Sequence, residues 1–303
     1  MNIQEELINR AGGRAYVLNM LDHNFESFWS DNNFESSKGG NIFEKLKYGV
    51  RLKDSGVMII PPIYENPIYF IGGIAVVKKL GKYGAINKLG EVVIPIKYEE
   101  LGGFYNGIAR VKVSGKWGYI NSQNMIVVPC QYENVGNYSE GVASVFENEI
   151  WCYINLNNKL SILPKNRYKW VGDFSEGYAL VRNSYGYGFI DKKGDEVIST
   201  RFQEANSFKN GLAKVCINNK YGFINYNGDL VIPAKYYDAC DFDSSGYAIV
   251  SIRKTLSRDI VTYNINKVGK IIKEKYRTEG EGREIIKNIW QVLKILGRFL
   301  GGN

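Results

Sequence analysis

The fold class that the sequence predicts is all-β, built from tandem units of about 35 residues. Three observations predict it. A phrase of basic residue, aromatic, glycine, any residue, isoleucine and asparagine returns at near-constant spacing along the chain. Glycine, asparagine and proline fall at matching offsets between the copies. The runs in between are short, and rich in the β-branched and aromatic residues that favour pleated strands over helices.

The anchor phrase reads Lys82-Tyr83-Gly84-Ala85-Ile86-Asn87, then Lys116-Trp117-Gly118-Tyr119-Ile120-Asn121, then Lys220-Tyr221-Gly222-Phe223-Ile224-Asn225. Tyr187-Gly188-Phe189-Ile190-Asp191 is a variant, and Trp151-Cys152-Tyr153-Ile154-Asn155 keeps all but the glycine. Worn copies stand at Lys47-Tyr48-Gly49 and at Tyr263-Asn264-Ile265-Asn266. Successive copies are separated by 34 to 36 residues, with a last step of 41.

Each piece of the unit has a physical reading. The anchor is a strand whose aromatic and isoleucine, three apart, point to opposite faces. Its glycine clears space for the close approach of another backbone. A turn follows, because Gly90, Asn124, Asn158, Gly194, Gly228 and Gly269 tolerate positive φ. Next comes a returning strand such as Ile94-Pro95, Val128-Pro129 or Ile232-Pro233. A proline cannot donate to a ladder, so it is expected at the strand's end or on a sheet edge. Tyr98, Tyr132, Tyr168, Phe202 and Tyr236 come after it. A third strand opens on glycine, as in Gly107-Ile108-Ala109-Arg110-Val111, with the alanine and valine turned inward and the arginine to water. The expected unit is three short antiparallel strands.

These residues resemble the bacterial WG repeat, also called the KWG repeat. The resemblance covers about Lys47 to Ile272. It is close at Val93-Ile94-Pro95-Ile96-Lys97-Tyr98, Tyr138-Ser139-Glu140-Gly141-Val142-Ala143 and Phe174-Ser175-Glu176-Gly177-Tyr178-Ala179. The resemblance implies a β-repeat module, often regarded as propeller-like, and carries over no catalytic residue. Cys152, Ser199-Thr200 in place of the expected proline, and the long last step depart from the pattern, and distorted copies are expected there. A unit this small cannot bury its own face, so neighbours must cover it. The propeller-like arrangement is the reading adopted, and an open β-solenoid with capped ends is the alternative.

The domain organisation follows: residues 1–44 as a non-repeat segment or cap, 45–279 as the repeat body, and 280–303 as a basic amphipathic helix after the hinge glycines Gly280 and Gly282. In that helix Ile285, Ile289, Trp290, Leu293, Leu296, Phe299 and Leu300 form the apolar stripe, with Lys294 and Arg298 beside it. These nine residues are the candidate contacts, whether with a protein partner, with an anionic membrane surface, or with the last repeat as a cap.

Charge and composition narrow the function. The net charge is +8, but from Lys270 onward there are eight Lys/Arg against four Asp/Glu, so about half of the excess sits in the tail. The repeat body therefore lacks the basic track of a nucleic-acid binder. Cys130, Cys152, Cys216 and Cys240 form no C-x-x-C pair, and His23 is the only histidine, so no zinc-type set assembles. The cysteines read as small buried hydrophobes. No catalytic residue, cofactor or metal ligand is expected. Glu140 and Glu176, the carboxylates that come nearest to a glycosidase pair, share one repeat position and read as turn residues. Tyr105, Tyr138, Tyr185, Tyr226 and Tyr237 fall near turns, where a tyrosine rim can bind protein or sugar. The polar start MNIQEELINR is not a secretory signal, and no apolar run is long enough to span a membrane, so a cytoplasmic protein is expected. The functional expectation is a non-catalytic interaction scaffold, with a membrane-associated protein and a carbohydrate- or cell-wall-binding repeat as alternatives.

Overall fold

The computed structural model describes residues 25–31, 46–52, 56–253 and 260–278. Within them the chain is strand and turn, with no helix. The expected C-terminal helix, and the 1–44 segment apart from residues 25–31, lie outside the described residues. The chain divides into two compact units, residues 1–135 and 136–303.

The first unit holds three sheets. They are β1 (Phe25–Asp31), β2 (Leu46–Leu52) and β3 (Met58–Tyr64), then β4 (Ile74–Lys79), β5 (Lys82–Asn87) and β6 (Val92–Tyr98), then β7 (Glu100–Leu101), β8 (Ile108–Val113), β9 (Lys116–Asn121) and β10 (Ile126–Tyr132). The boundary falls within β11 (Asn134–Ser139), which joins β12 (Val142–Glu147), β13 (Ile150–Ile154) and β14 (Leu160–Ile162). Three more sheets follow in the second unit. The first is β15 (Trp170–Ser175), β16 (Tyr178–Arg182), β17 (Tyr187–Asp191) and β18 (Glu196–Phe202). Then come β19 (Glu204–Ala205), β20 (Ala213–Ile217), β21 (Lys220–Ile224) and β22 (Leu230–Tyr236), and last β23 (Asp238–Ala239), β24 (Tyr247–Arg253), β25 (Ile260–Asn266) and β26 (Ile271–Thr278). Strands pair in chain order, so each sheet is a meander and the returning strand is always an edge. Five of the seven sheets have four strands rather than the expected three. The addition is a strand before the third-strand position, as short as two residues in β7, β19 and β23. So brief a run carries no periodicity of its own in the sequence.

The anchor glycines do what their position implies. A Cβ on Gly84, Gly118, Gly188 or Gly222 would lie 2.4–2.6 Å from a carbonyl oxygen of the returning strand. In β6 the residues Pro95, Ile96 and Lys97 bulge over Gly84, since Tyr83 pairs with Tyr98 but Ala85 with Ile94. The proline thus sits inside an edge strand at a bulge, where its missing N–H costs no ladder bond. The same offset recurs at Gly49, Gly118, Gly188 and Gly222. It is absent where the glycine is replaced. Beside Cys152 the returning strand β14 is only three residues long and pairs no further than Ile162 with Tyr153. Beside Tyr263, β26 pairs on through Glu274 and Tyr276 with single-residue shifts only. Ser199-Thr200 does not distort its copy, because the bulge over Gly188 persists without proline. There the Glu196 carboxylate accepts the freed Thr200 N–H at 3.1 Å.

Both faces of the anchor strands β5, β17 and β21 are buried because sheets stack face to face within each unit. Ile86 packs back with Ala75 and Val77 on Val50, Ile60 and Tyr64 of the preceding sheet. Its neighbour Ala85 packs forward with Ile94 and Tyr98 on Leu101, Ala109 and Val111 of the next. The same alternation places Ile190 behind and Phe189 ahead of β17, and Ile224 behind and Phe223 ahead of β21. The small alanine of each third strand permits this close approach. One expectation fails at the residue between that alanine and valine. Lys214 is buried rather than solvated: its Nζ donates to Ala239 O at 3.1 Å and lies 5.2 Å from the Tyr221 ring. Arg110 is half-buried, donating to Val135 O at 3.4 Å with its guanidinium 5.5 Å from the Trp117 ring. Stacking covers the outward face of the third strand too, so its cations must reach a carbonyl or a ring.

Candidate functional site

The nine tail residues from Ile285 to Leu300 lie outside the described residues, as does His23. Every candidate that can be placed is on the repeat sheets, and the first to be placed are the two glutamates. Glu140 and Glu176 take φ of 49° and 55° at the turn before each third strand, directly ahead of Gly141 and Gly177. Glu140 accepts the Gly177 N–H of the following sheet at 3.2 and 3.3 Å and pairs with Lys192 at 3.1 Å. Glu176 accepts the N–H groups of Asn210 and Gly211 at 2.7 and 2.9 Å and the Tyr226 hydroxyl at 2.8 Å. Each carboxylate is therefore a latch between neighbouring sheets, which gives a physical reason for glutamate before glycine in these two copies.

Two outcomes are expected from this latch. Glu176→Ala loses about 1–2 kcal/mol of stability in urea denaturation, since three hydrogen bonds to a carboxylate give way to solvent at a largely exposed site. An unchanged midpoint would remove the latch. Alkali acts on the same contact. Burial, and then the bond to Glu176, push the Tyr226 phenol from 10.0 up to about 12. A value raised by folding stabilises the protein below the unfolded pKa, and that contribution disappears as pH rises through the folded one. Stability is thus expected to fall between pH 10 and about 12, less steeply in Tyr226→Phe than in the parent. Urea midpoints across that pH series measure it.

The exposed tyrosines do not gather into one rim. Tyr226 stacks on Tyr178 at 5.2 Å and 18° and rests on Phe208. Tyr185 is 84% exposed on the β16–β17 hairpin. In a meander that turn lies at the strand end opposite to the β21–β22 turn that carries Tyr226. Tyr237 lies 6.0 Å below the Arg253 guanidinium, and Tyr105 and Tyr138 are half-buried. The four cysteines form no disulfide with one another, with Cys216 buried and the others half-buried. Burial pushes the thiols of Cys130, Cys152 and Cys216 up, away from the reactive thiolate. Among the described residues no group of His, Cys, Asp and Glu is placed to hold a metal ion, and no helix is long and apolar enough to cross a membrane.

A feature that the sequence reading missed is the first residue of each returning strand. It is Met58, Val92 and Ile126 in the first unit, and Leu160, Leu230 and Ile271 in the second. All six are exposed, from 42% at Leu230 to 66% at Ile126. Each stands at the start of an edge strand, one pairing step beyond the buried Ile94, Val128, Ile162 or Ile232 of the same strand. The exception is Glu196, whose carboxylate accepts the Tyr168 hydroxyl at 2.7 Å. The signal was available, since an apolar residue recurs at one offset before the buried isoleucine or valine. Its exposure was not, because a run such as Leu230-Val231-Ile232 reads as uniformly buried. Repeated exposed apolar side chains at edges are what an interaction surface provides.

No curated protein matches the chain by sequence. Among solved structures, its fold is similar to the crystal structure of a eukaryotic initiation factor, at TM-score 0.53 and 12% identity over 84% of this chain and 74% of that one. It is also similar to Kluyveromyces lactis Hsv2, at TM-score 0.49 and 10% identity over 77% and 92% of the two chains. The WG containing repeat matches at residues 53–83, 83–117, 117–151, 151–185, 187–221 and 221–254. From residue 83 on, each match opens on an anchor aromatic and runs from the middle of one sheet into the middle of the next. Six consecutive matches over well more than half of its length establish that the chain belongs to the WG containing repeat family.

Proposed function

We propose that this chain is a non-catalytic, propeller-like scaffold that binds a protein partner. The observation that carries the reading is the row of exposed apolar residues at the starts of the edge strands, with Leu160, Leu230 and Ile271 in the second unit. Rigid sheets hold these side chains at fixed separations, so little ordering entropy is lost on binding. Capture of partners from native extract tests it, using the full chain, a Leu160→Ser/Leu230→Ser/Ile271→Ser variant, and a chain lacking Glu284 to Asn303. A partner kept by the tail deletion and lost by the triple variant supports the reading. A partner lost only with the tail would move the function to the tail and leave the repeats as its support.

The spacing of apolar and basic residues from Arg283 to Leu300 favours a second reading, in which the tail lies on an anionic membrane. Flotation with phosphatidylserine vesicles separates the two. Binding that disappears on deletion of Glu284 to Asn303 supports the membrane reading, and no flotation of the full chain removes it.

A further inference from the structure

One row of residues in the second unit holds a cation without the acid that its counterpart in the third sheet has. In the third sheet of the chain, Glu100 stands opposite Lys112, and the pair closes at 2.9 Å beside the Trp117 ring. The corresponding short-strand position is Asn134 in the fourth sheet, Glu204 opposite Cys216 in the sixth, where it accepts the Tyr221 hydroxyl at 2.7 Å, and Asp238 opposite Ser251 in the seventh. In the fifth sheet the acid is replaced by Trp170, which pairs in register with Arg182, and Arg182 pairs in turn with Tyr187. Trp170 is 40% exposed, and its ring lies over Gly172, where a Cβ would meet it at 2.8 Å. The Arg182 guanidinium is exposed and sits 5.2 Å from the Tyr187 ring centroid. Lys169 precedes Trp170 and is exposed, and Tyr185 stands on the hairpin joining Arg182 to Tyr187. Among the described residues, neither Lys169 nor Arg182 has a carboxylate within ion-pair distance. Ala205 and Ile217 of the next sheet join Tyr187 at the border of one hydrophobic cluster.

We propose that the Trp170–Arg182–Tyr187 row is a docking site for an acidic segment of a partner protein, which supplies to Arg182 the carboxylate that Glu100 supplies to Lys112 in the third sheet. A guanidinium backed by an aromatic ring keeps its donor fork free for bidentate pairing with a carboxylate. Tryptophan, tyrosine and arginine together are the side chains that dominate protein interfaces. Charge complementarity chooses an acidic occupant. Nucleic acid is disfavoured because it calls for a track of cations along a phosphate backbone, whereas this cluster is confined to one sheet. The site is distinct from the edge-strand row, and it stands or falls independently of that surface.

The test is fluorescence polarisation of a labelled glutamate-rich peptide with the full chain, beside its glutamine counterpart and an oligothymidylate. The glutamate peptide is expected to bind with strong salt dependence and the glutamine peptide not to bind. Arg182→Gln is expected to weaken binding about tenfold or more. Trp170→Glu gives Arg182 the acid that Lys112 has in Glu100, so it is expected to weaken binding equally while keeping the melting temperature of the parent. Lys112→Gln, in the row that already has its acid, and Leu160→Ser, on the edge row, are expected to change nothing. Absence of peptide binding, or binding that survives both Arg182→Gln and Trp170→Glu, overturns the proposal. So does oligothymidylate that binds as tightly as the peptide and is lost in the same two variants.

Discussion

Replacing Phe223 by alanine is expected to cost about 3–5 kcal/mol, the range for deleting a fully buried phenylalanine. Phe223 is 1% exposed on β21 and points forward into the last sheet. Its ring meets Phe242 edge-on at 4.9 Å and 65°, and the cluster around them includes Ile232 and Tyr236 from its own sheet and Ala248, Val250 and Ile265 from the next. Alanine would leave a cavity in the cluster between these two sheets. A cost of this size is a large share of the stability of an ordinary domain. Urea denaturation measures it, and a double-mutant cycle with Phe242→Leu should return a coupling of about 0.5–1.5 kcal/mol for the ring pair. A loss below about 1 kcal/mol would contradict the face-to-face packing of these sheets.

Gly222→Ala, one residue earlier, is expected to cost about 2–4 kcal/mol by a different route. The new Cβ would lie 2.6 Å from Ile232 O and 2.7 and 2.8 Å from the N and Cα of Ala234. These are backbone atoms and cannot swing aside as a side-chain end can. The strand must give up its bulge, as it does beside Cys152 and Tyr263, and draw Tyr236 away from its place opposite Tyr221. Hydrogen exchange is expected to rise along Leu230–Tyr236 while β20 stays protected. Gly107→Ala is the control: its φ is +77° and nothing lies within 4 Å of the added Cβ, so only the left-handed backbone strain of about 1–2 kcal/mol applies. Equal costs for the two variants would mean that the bulge does not depend on the glycine.

Much of this architecture was legible from the residues. The copies kept register at the anchor glycine, the turn glycine or asparagine and the buried aromatic of the returning strand, because each meets a backbone requirement that recurs in every unit. All six turn positions from Gly90 to Gly269 have positive φ, as their residue types imply. The turn reading of Glu140 and Glu176 came from their recurrence alone. What escaped were properties of a second sheet. The two-residue strands β7, β19 and β23 are too short to show a period, and they exist because a neighbouring strand offers two ladder positions. The exposure of Leu230 and its counterparts depends on where the edge of the sheet falls.

By itself the sequence determined the all-β class, the period, the turns, the need for close backbone approach at the anchor glycine and a distorted copy at Cys152, since all of these follow from local backbone sterics. Tertiary structure alone decided the fourth strand, the burial of Lys214, the destinations of the Glu140 and Glu176 carboxylates, and the exposure of Trp170 beside Arg182. These depend on which sheet comes to lie against which, and on how many carboxylates, carbonyls or rings it brings within reach. No spacing along a single chain encodes that count.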